Sequence, residues 1–305
     1  MVEAPAPKDL GSDPYAATFF VEVNGEVAAT RVMPRAAFAD GVSCRNVDVD
    51  GSEGGLFSGS WSATVFASWG VPTLGLAYFG EPGLPADLQQ IPLEYFAKAM
   101  DWLDAQPAVR SGKTVVAGGS RGGELALLLG ATYPRVSAVI ADVPSGFVWG
   151  DTRGSGAAWT LGGVDLPSVP PAPGAEPAVV AGLESIARAT PAALDAATIR
   201  VEDIAGPVLL IAGEDDALWP SCEFSKRVLA RLETAGHVSA HGDVATCYPA
   251  AGHAATSFVG SATTESMWAD MGDGLFALGG TAKGIAAANR DADTRRHAFL
   301  DRVTK

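Results

Sequence analysis

The chain has 305 residues and a formal net charge of −14, and hydrophobic residues make up 48% of it. A chain of this length can bury a large core, enough for one large domain or two small ones. Its acidity, without any cluster of lysines and arginines, excludes nucleic acid and anionic membrane surfaces as expected partners, because both are bound by basic surfaces.

The N-terminal segment and the cysteines bear on location. The first 17 residues contain no apolar core of a secretory signal, and no apolar run reaches membrane-spanning length. Cys44, Cys222 and Cys247 are odd in number and lack the spacing of a metal site. We therefore expect free thiols, no metal, and a cytoplasmic protein without membrane contact.

The first half of the chain predicts an α/β fold. Residues 1–16 are rich in proline, alanine and aspartate, and we expect an irregular arm there. Asn24 and Gly25 separate two strand-like stretches and predict a β-hairpin. Strand-like and helix-like segments then alternate with short connections, which is typical of a mostly parallel sheet with helices on both faces. The predicted order is helix 61–70, strand 71–80, helix 91–107, strand 113–119, helix 123–134 and strand 136–145.

The alternation stops at residue 146. Residues 146–203 are rich in glycine, proline and tryptophan, and only a short stretch at 178–189 has helical spacing. Irregular stretches of this length in a compact domain are usually functional or disordered, and we predict a lid-like insertion. The pattern then resumes, so we predict one domain over residues 17–305. Its last elements are a strand within 206–220, helix 221–236, strand 243–249 and a helical tail.

A Gly-x-Ser-x-Gly motif lies between the strand 113–119 and the following helix. Gly118, Ser120 and Gly122 form the pattern of a nucleophile elbow, in which small neighbours allow a strained turn to expose the serine. The same pattern also occurs as a plain tight turn. A nucleophilic serine requires a histidine base and a carboxylate that orients it, so the rest of the chain decides between the two interpretations.

The candidate base is one of four histidines. In this kind of fold the acid and then the histidine follow the serine, each after a later strand. His253 comes just after the last predicted strand and is the predicted base. His237 and His241 flank a glycine-containing turn and are interpreted as helix-end and loop residues, and His297 as a solvated residue of the charged tail.

The candidate acid lies in the sequence that follows the strand within 206–220. Glu214, Asp215 and Asp216 all compete for this role. Asp216 is favoured because it precedes Pro220 by four residues, which suits a loop that turns back toward the histidine. Asp215 remains the alternative, and all three carboxylates can also be a solvated acidic loop before the next helix.

An oxyanion formed at a substrate carbonyl needs two N–H donors. The backbone N–H of Arg121 is the first candidate, and an amide of the glycine-rich loop 51–55, at Glu53 or Gly54, is the second. That loop can also be a plain flexible turn. The side chain of Arg121 either binds a substrate carboxylate or phosphate or, more commonly for such an arginine, pairs with Glu124 or a nearby acid.

The segment that leads into the loop is polar. Residues 44–50 read CRNVDVD, whereas the central strands of a parallel sheet are almost entirely apolar. We therefore expect this strand to be short, half exposed or displaced.

Four segments carry a family resemblance. They are GGSRGGELALLLGATYP, VPSGFVWGD, GPVLLIAGEDDALWPS and YPAAGHAAT, in this order. Together they resemble the C-terminal domain of the acyl-CoA thioesterase / bile acid-CoA:amino acid N-acyltransferase family, over roughly residues 50–260. That domain is similar to dienelactone hydrolases and has an α/β-hydrolase fold. Long members of the family carry an N-terminal β-sandwich, so the resemblance does not extend to coenzyme A recognition.

The resemblance implies a function. It implies a catalytic triad of Ser120, Asp216 and His253, with acyl thioesters as small-molecule substrates and no cofactor. Thioesterase members carry serine at the elbow and the amino-acid transferases typically carry cysteine, so Ser120 favours hydrolysis. Ester or lactone hydrolysis, acyl transfer and carboxylate elimination in natural-product tailoring remain alternatives, as does a non-catalytic binding protein.

Apolar residues of the insertion are candidates for a substrate pocket. Trp149, Trp159, Leu161 and Leu166 can line such a pocket, or they can be the packing that holds the insertion in place.

Overall fold

The computed structural model describes most of the chain. The predicted arm at residues 1–16 lies outside the described residues. These are 18–23, 26–32, 42–49, 51–81, 83–105, 109–151, 156–172, 178–256, 267–270 and 275–304.

The described residues form 13 strands, and eight of these make up one sheet. In chain order the 13 strands are β1 (Thr18–Val23), β2 (Glu26–Val32), β3 (Val42–Val49), β4 (Thr73–Leu76), β5 (Ile91–Pro92), β6 (Val109–Gly119), β7 (Val136–Asp142), β8 (Trp159–Leu161), β9 (Val164–Asp165), β10 (Val208–Gly213), β11 (Val244–Tyr248), β12 (Met267–Asp270) and β13 (Leu275–Gly279). The eight-stranded sheet has the order β1-β2-β4-β3-β6-β7-β10-β11. From β4 to β11 all neighbours are parallel, and the hairpin β1–β2 extends one edge in antiparallel pairing.

Helices cover both faces of this sheet. They are α1 (Phe57–Ser68), α2 (Leu93–Asp104), α3 (Arg121–Thr132), α4 (Ala178–Arg188), α5 (Pro191–Ala197), α6 (Ser221–Thr234), α7 (His237–His241) and α8 (Ala282–Thr304), with 3₁₀ turns at Val201–Asp203 and His253–Thr256.

Central strands contribute to a core on each face. In β6, Val116 belongs to the cluster that includes α2, α3 and α6, whereas Val115 and Ala117 belong to the cluster that includes α8. This follows from the alternation of side chains along a strand, and it gives the three-layer arrangement that a parallel sheet requires.

The expectation for the polar strand was wrong. β3 has eight residues and pairs in parallel with β4 on one side and β6 on the other. Arg45, Asn46 and Asp48 are at most 4% exposed. For Arg45 the physical reason is charge pairing, since it forms an ion pair with Asp104 of α2. A buried charge is tolerated when it has such a partner.

The expectation of free thiols was wrong for two of the three cysteines. Cys222, in the first turn of α6, and Cys247, in β11, form a disulfide. The two are 25 residues apart in sequence, and packing of α6 against β11 brings them together. Disulfides are rare in reducing compartments, so the cysteines no longer support the predicted cytoplasmic location. Among the described residues, no helix is both long enough and apolar enough to span a membrane.

Residues 146–203 contain several short regular elements. The predicted helical stretch at 178–189 is confirmed as α4. β8 and β9, which join β5 in a three-stranded sheet of order β5-β8-β9, and the helix α5 were not predicted. Strands of two or three residues are too short to show a period. The helical tail is confirmed for α8, but β12 and β13 precede it as an antiparallel pair.

His237 and His241 lie at the two ends of α7. The His237 ring is buried, with Nδ1 2.7 Å from Asp243 Oδ2 and Nε2 2.8 Å from the carbonyl oxygen of Ile204. Asp243 Oδ1 in turn accepts the N–H of Val208 at 2.8 Å. This histidine therefore joins α7 to the start of β10 and has a structural role.

We expect His237→Ala to lower the free energy of unfolding by about 3–5 kcal/mol, because it removes the ring that faces the buried Asp243 carboxylate. Urea denaturation followed by circular dichroism measures this. The control is His297→Ala, which removes an exposed ring stacked on Trp69 at 5.3 Å and should cost about 1 kcal/mol or less. Equal losses in the two variants would contradict the structural role of His237.

Candidate active site

Ser120 occupies a strained turn between β6 and α3. Its φ is 57° and its ψ is −120°, a region that residues other than glycine rarely adopt. Hydrogen bonds on both sides hold it there. The Ser120 N–H donates to the carbonyl of Asp142 at 2.9 Å, and the Ser120 carbonyl accepts the N–H of Glu124 at 3.1 Å.

Gly118 of the motif has a steric reason. A Cβ atom at Gly118 would lie 2.4 Å from the carbonyl oxygen of Gly122 and 2.8 Å from Cγ2 of Val49. No side chain fits at this crossing of strand and helix, so the turn that presents Ser120 depends on glycine at position 118.

The structure brings Ser120, His253 and Asp216 into one line of hydrogen bonds. His253 opens the 3₁₀ turn after β11, and its Nε2 lies 2.9 Å from Ser120 Oγ. Its Nδ1 lies 2.8 Å from Asp216 Oδ2. An ionised carboxylate only accepts hydrogen bonds, so the proton belongs on Nδ1 and Nε2 is free to accept the serine hydroxyl.

The Asp216 carboxylate is held by the turn that carries it. Asp216 Oδ1 accepts the N–H groups of Leu218 at 2.9 Å and Trp219 at 3.2 Å, and both Asp216 and His253 are 7% exposed. Among the described residues, the carboxylate that meets the His253 ring is that of Asp216. Asp215 is exposed, and its N–H donates to the carbonyl of Ala251 at 2.9 Å.

The glycine-rich loop lies beside the serine. A Cβ atom at Gly51 would come within 3.2 Å of Ser120 Cβ. The N–H of Gly55 donates to the carbonyl of Phe79 at 2.9 Å, and the N–H of Leu56 donates to a Glu81 carboxylate at 3.1 Å. Because these two N–H groups already have acceptors within the protein, the candidate oxyanion donors of this loop are the N–H groups of the preceding residues.

The structure is compatible with the predicted oxyanion donors. Glu53 and Gly54 precede Gly55 and Leu56, whose N–H groups already have acceptors. Arg121 is the first residue of α3, where backbone N–H groups have no acceptor within the helix. The helix N-terminus also carries a partial positive charge that favours a developing oxyanion.

The Arg121 side chain points to Glu124. Its Nε lies 3.2 Å from Glu124 Oε2, and its Nη2 donates to the carbonyl of Trp149 at 3.1 Å. Glu124 is fully buried, and its Oε1 accepts the N–H of Trp149 at 3.1 Å and the indole N–H of Trp159 at 2.8 Å. Burial raises the pKa of Glu124, while Arg121 opposes the rise. This cluster fastens the insertion to α3.

The candidate pocket residues lie in different surroundings. The Trp149 ring is half-buried, 6.4 Å from the Trp219 ring, which in turn is 6.0 Å from His253. Trp159 is fully buried and packs against Tyr78 with ring centroids 5.7 Å apart, so we assign it to the core. Leu161 is 38% exposed at the end of β8.

Three residues near the site were not predicted from the sequence. Trp219 follows Asp216 by three residues, and its indole N–H donates to the carbonyl of Val143 at 2.9 Å. Asp142, at the end of β7, and Arg296, in α8, form a buried ion pair, and the backbone carbonyl of Asp142 accepts the Ser120 N–H. The position of Trp219 three residues after the candidate acid, Asp216, is a usable signal, but no motif marks the other two.

Burial dominates the electrostatics of Asp142. Its Oδ2 accepts a hydrogen bond from Arg296 Nε at 3.0 Å, while its Oδ1 has no partner among the described residues. Burial raises the pKa of Asp142 from its ordinary value to about 6, and the nearby guanidinium opposes the rise.

The sheet, the elbow and the hydrogen-bonded side chains define an α/β-hydrolase. A solved esterase of Pyrobaculum calidifontis shares this fold, with a TM-score of 0.54 and 15% identity over 94% of this chain and 86% of the esterase. Residues 91–305 match the family described as BAAT / Acyl-CoA thioester hydrolase C terminal, and the chain belongs to this family.

Two relatives of Mus musculus illustrate the family. The chain is 26% identical over 209 residues to acyl-coenzyme A thioesterase 1. It is 28% identical over 207 residues to acyl-coenzyme A amino acid N-acyltransferase 1. Each alignment covers 68% of this chain and 47% of the relative. The chain thus spans about half the length of the curated relatives it matches. The resemblance seen in the sequence is confirmed.

We expect the stability of the protein to depend on pH through Asp142. Because the folded state raises the pKa of this group from 3.8 to about 6, the folded state binds the proton more tightly than the unfolded chain. This contribution to stability is fully present below the unfolded pKa and is lost as pH rises through about 6.

The matching test is Asp142→Asn. Between pH 4 and pH 7 the wild type should lose about 2–3 kcal/mol of unfolding free energy relative to the variant, because each tenfold difference in proton affinity between the folded and unfolded states is worth about 1.4 kcal/mol. Urea denaturation of both proteins at several pH values measures the difference. Parallel pH curves for the two proteins would show that Asp142 does not titrate in this range.

Proposed function

We propose that this protein is a serine hydrolase that works through an acyl-enzyme and cleaves acyl thioesters. The observation that carries the proposal is the hydrogen-bonded line from Ser120 through His253 to Asp216, in a chain of a thioester hydrolase family. The Ser120 hydroxyl lies within hydrogen-bond reach of the base, which argues against a non-catalytic binding protein.

Acylation follows from this geometry. Ser120 Oγ attacks the carbonyl carbon of the substrate, and His253 Nε2 takes the hydroxyl proton. Asp216 stabilises the resulting imidazolium through Nδ1. The oxyanion of the tetrahedral intermediate accepts hydrogen bonds from the Arg121 N–H and from Glu53 or Gly54. Collapse breaks the C–S bond, and the leaving thiolate takes the proton from His253.

Deacylation repeats the same steps with water. His253 removes a proton from a water molecule, which attacks the acyl ester on Ser120, and the serine leaves with that proton. An ester or lactone would follow the same course with an alkoxide as the leaving group. The family match favours the thioester as the first substrate to test.

The proposed domain organisation includes a lid near this site. We propose one catalytic domain over residues 17–305, with residues 146–203 as a lid. The lid is fastened to α3 through Trp149 and Trp159, which meet Glu124. The acyl group enters between the lid and the elbow, and Trp149 and Leu161 line the path.

We expect a burst of p-nitrophenol on mixing the protein with p-nitrophenyl acetate, because acylation releases one leaving group for each serine that reacts. In Ser120→Ala the burst should vanish, and turnover of this ester and of acetyl-CoA should fall by at least about 10³-fold. The control is Ser68→Ala, an exposed serine at the end of α1. A burst that persists without the Ser120 hydroxyl would refute the mechanism.

We expect Asp216→Asn to lower kcat by about 10⁴-fold, because an amide no longer fixes the tautomer of His253. Asp215→Asn, the neighbouring carboxylate, should stay within about twofold of wild type. Steady-state kinetics with the same ester measures both. The reverse order of effects would assign the acid to Asp215.

A further inference from the structure

Arg296 is a fully buried cation in the helix α8. Its Nη2 lies 2.8 Å from Asp142 Oδ2, and its Nη1 donates to Asp293 Oδ1 at 2.8 Å. Its Nη2 also donates to the carbonyl of Ala255 at 3.5 Å. A guanidinium out of water is costly unless it is paired, and its planar fork fixes the positions of the groups it meets.

The first of these groups, Asp142, is in direct contact with the backbone of the proposed nucleophile. Asp142 is the residue whose backbone carbonyl accepts the N–H of Ser120 at 2.9 Å. The next residue, Val143, has a φ of 40°, which is strained for a β-branched side chain. Strain of this kind persists only where the surroundings over-determine the backbone. The ion pair with Arg296 is one such constraint.

The carbonyl of Ala255 connects Arg296 to the segment that carries the proposed base. Ala255 lies in the 3₁₀ turn that begins with His253. The same guanidinium therefore contacts the strand end that holds the serine backbone and the turn that carries the histidine. These two segments must keep their spacing for Nε2 of His253 to lie 2.9 Å from the Ser120 hydroxyl.

We propose that Arg296 is a positioning residue that sets the distance between Ser120 and His253 through Asp142 and Ala255. The inference rests on the proposed serine hydrolase function and adds a residue that touches no substrate. A displacement of about 1 Å in such a site costs about 10²-fold in rate. Arg296→Met should therefore lower kcat by about 10- to 100-fold with KM within about twofold of wild type.

Arg45 provides a matched control. It is also a buried arginine, at 2% exposure, and its partner Asp104 lies in α2. Arg45→Met removes a guanidinium from a carboxylate in the same way, but the ion pair that it breaks involves neither Ser120 nor His253. This variant should lose stability and keep kcat within about twofold of wild type below its melting temperature.

The rate of covalent labelling distinguishes a change in the relative position of Ser120 and His253 from a loss of folding. Wild type and variants are treated with a fluorophosphonate, which phosphonylates an activated serine, and the labelled fraction is followed with time. Arg296→Met should reach one label per chain but about 10- to 100-fold more slowly, whereas Arg45→Met should match wild type. Arg296→Lys keeps the positive charge without the planar guanidinium fork, so its labelling rate should lie between those of Arg296→Met and wild type.

The outcomes distinguish this inference from the proposed function. A wild type that takes no label at Ser120 would refute the proposed function itself. A labelled wild type with an unimpaired Arg296→Met, or with equal losses in Arg45→Met, would refute the positioning role alone. If Arg296→Met does not fold, Asp142→Asn carries the same test, because it breaks the ion pair at nearly constant volume and should slow labelling with KM unchanged.

Discussion

The left-handed backbone of Ser120 is the constraint on which the rest of the structure depends. A non-glycine residue at φ 57° is unfavourable by itself, so the surrounding sheet has to maintain it. β6 supplies the central strand, Gly118 allows α3 to cross it closely, and the end of β7 holds the Ser120 N–H. The proposed chemistry of Ser120 thus rests on a turn that would relax without a rigid three-layer core around it.

Much of this arrangement could be predicted from the sequence because it is local or periodic. Alternating strand and helix patterns predicted the parallel sheet, and the order of serine, acid and histidine after successive strands predicted which side chains meet. Asp216 was favoured over Asp215 by its distance from Pro220 and by the family resemblance, and in the structure it is the carboxylate next to His253.

The remaining features depend on pairings between distant segments. β3 is polar and central, and its Arg45 is paired with Asp104 of α2, a contact that no local pattern reveals. The disulfide between Cys222 and Cys247 depends on α6 lying against β11, and the Asp142–Arg296 pair joins residues 154 positions apart. Sequence periodicity reports which face of an element is apolar, but it carries no information about which buried charges meet.

The disulfide also shortens the covalent path between the proposed acid and the proposed base. Asp216 and His253 are 37 residues apart along the chain, but each is only six residues from one end of the Cys222–Cys247 bond. Through the cross-link the loop that closes when carboxylate meets imidazole contains about 12 residues. Closing a loop about threefold shorter saves about 1 kcal/mol of chain entropy, so the cross-link favours the contact between the Asp216 carboxylate and the His253 imidazole.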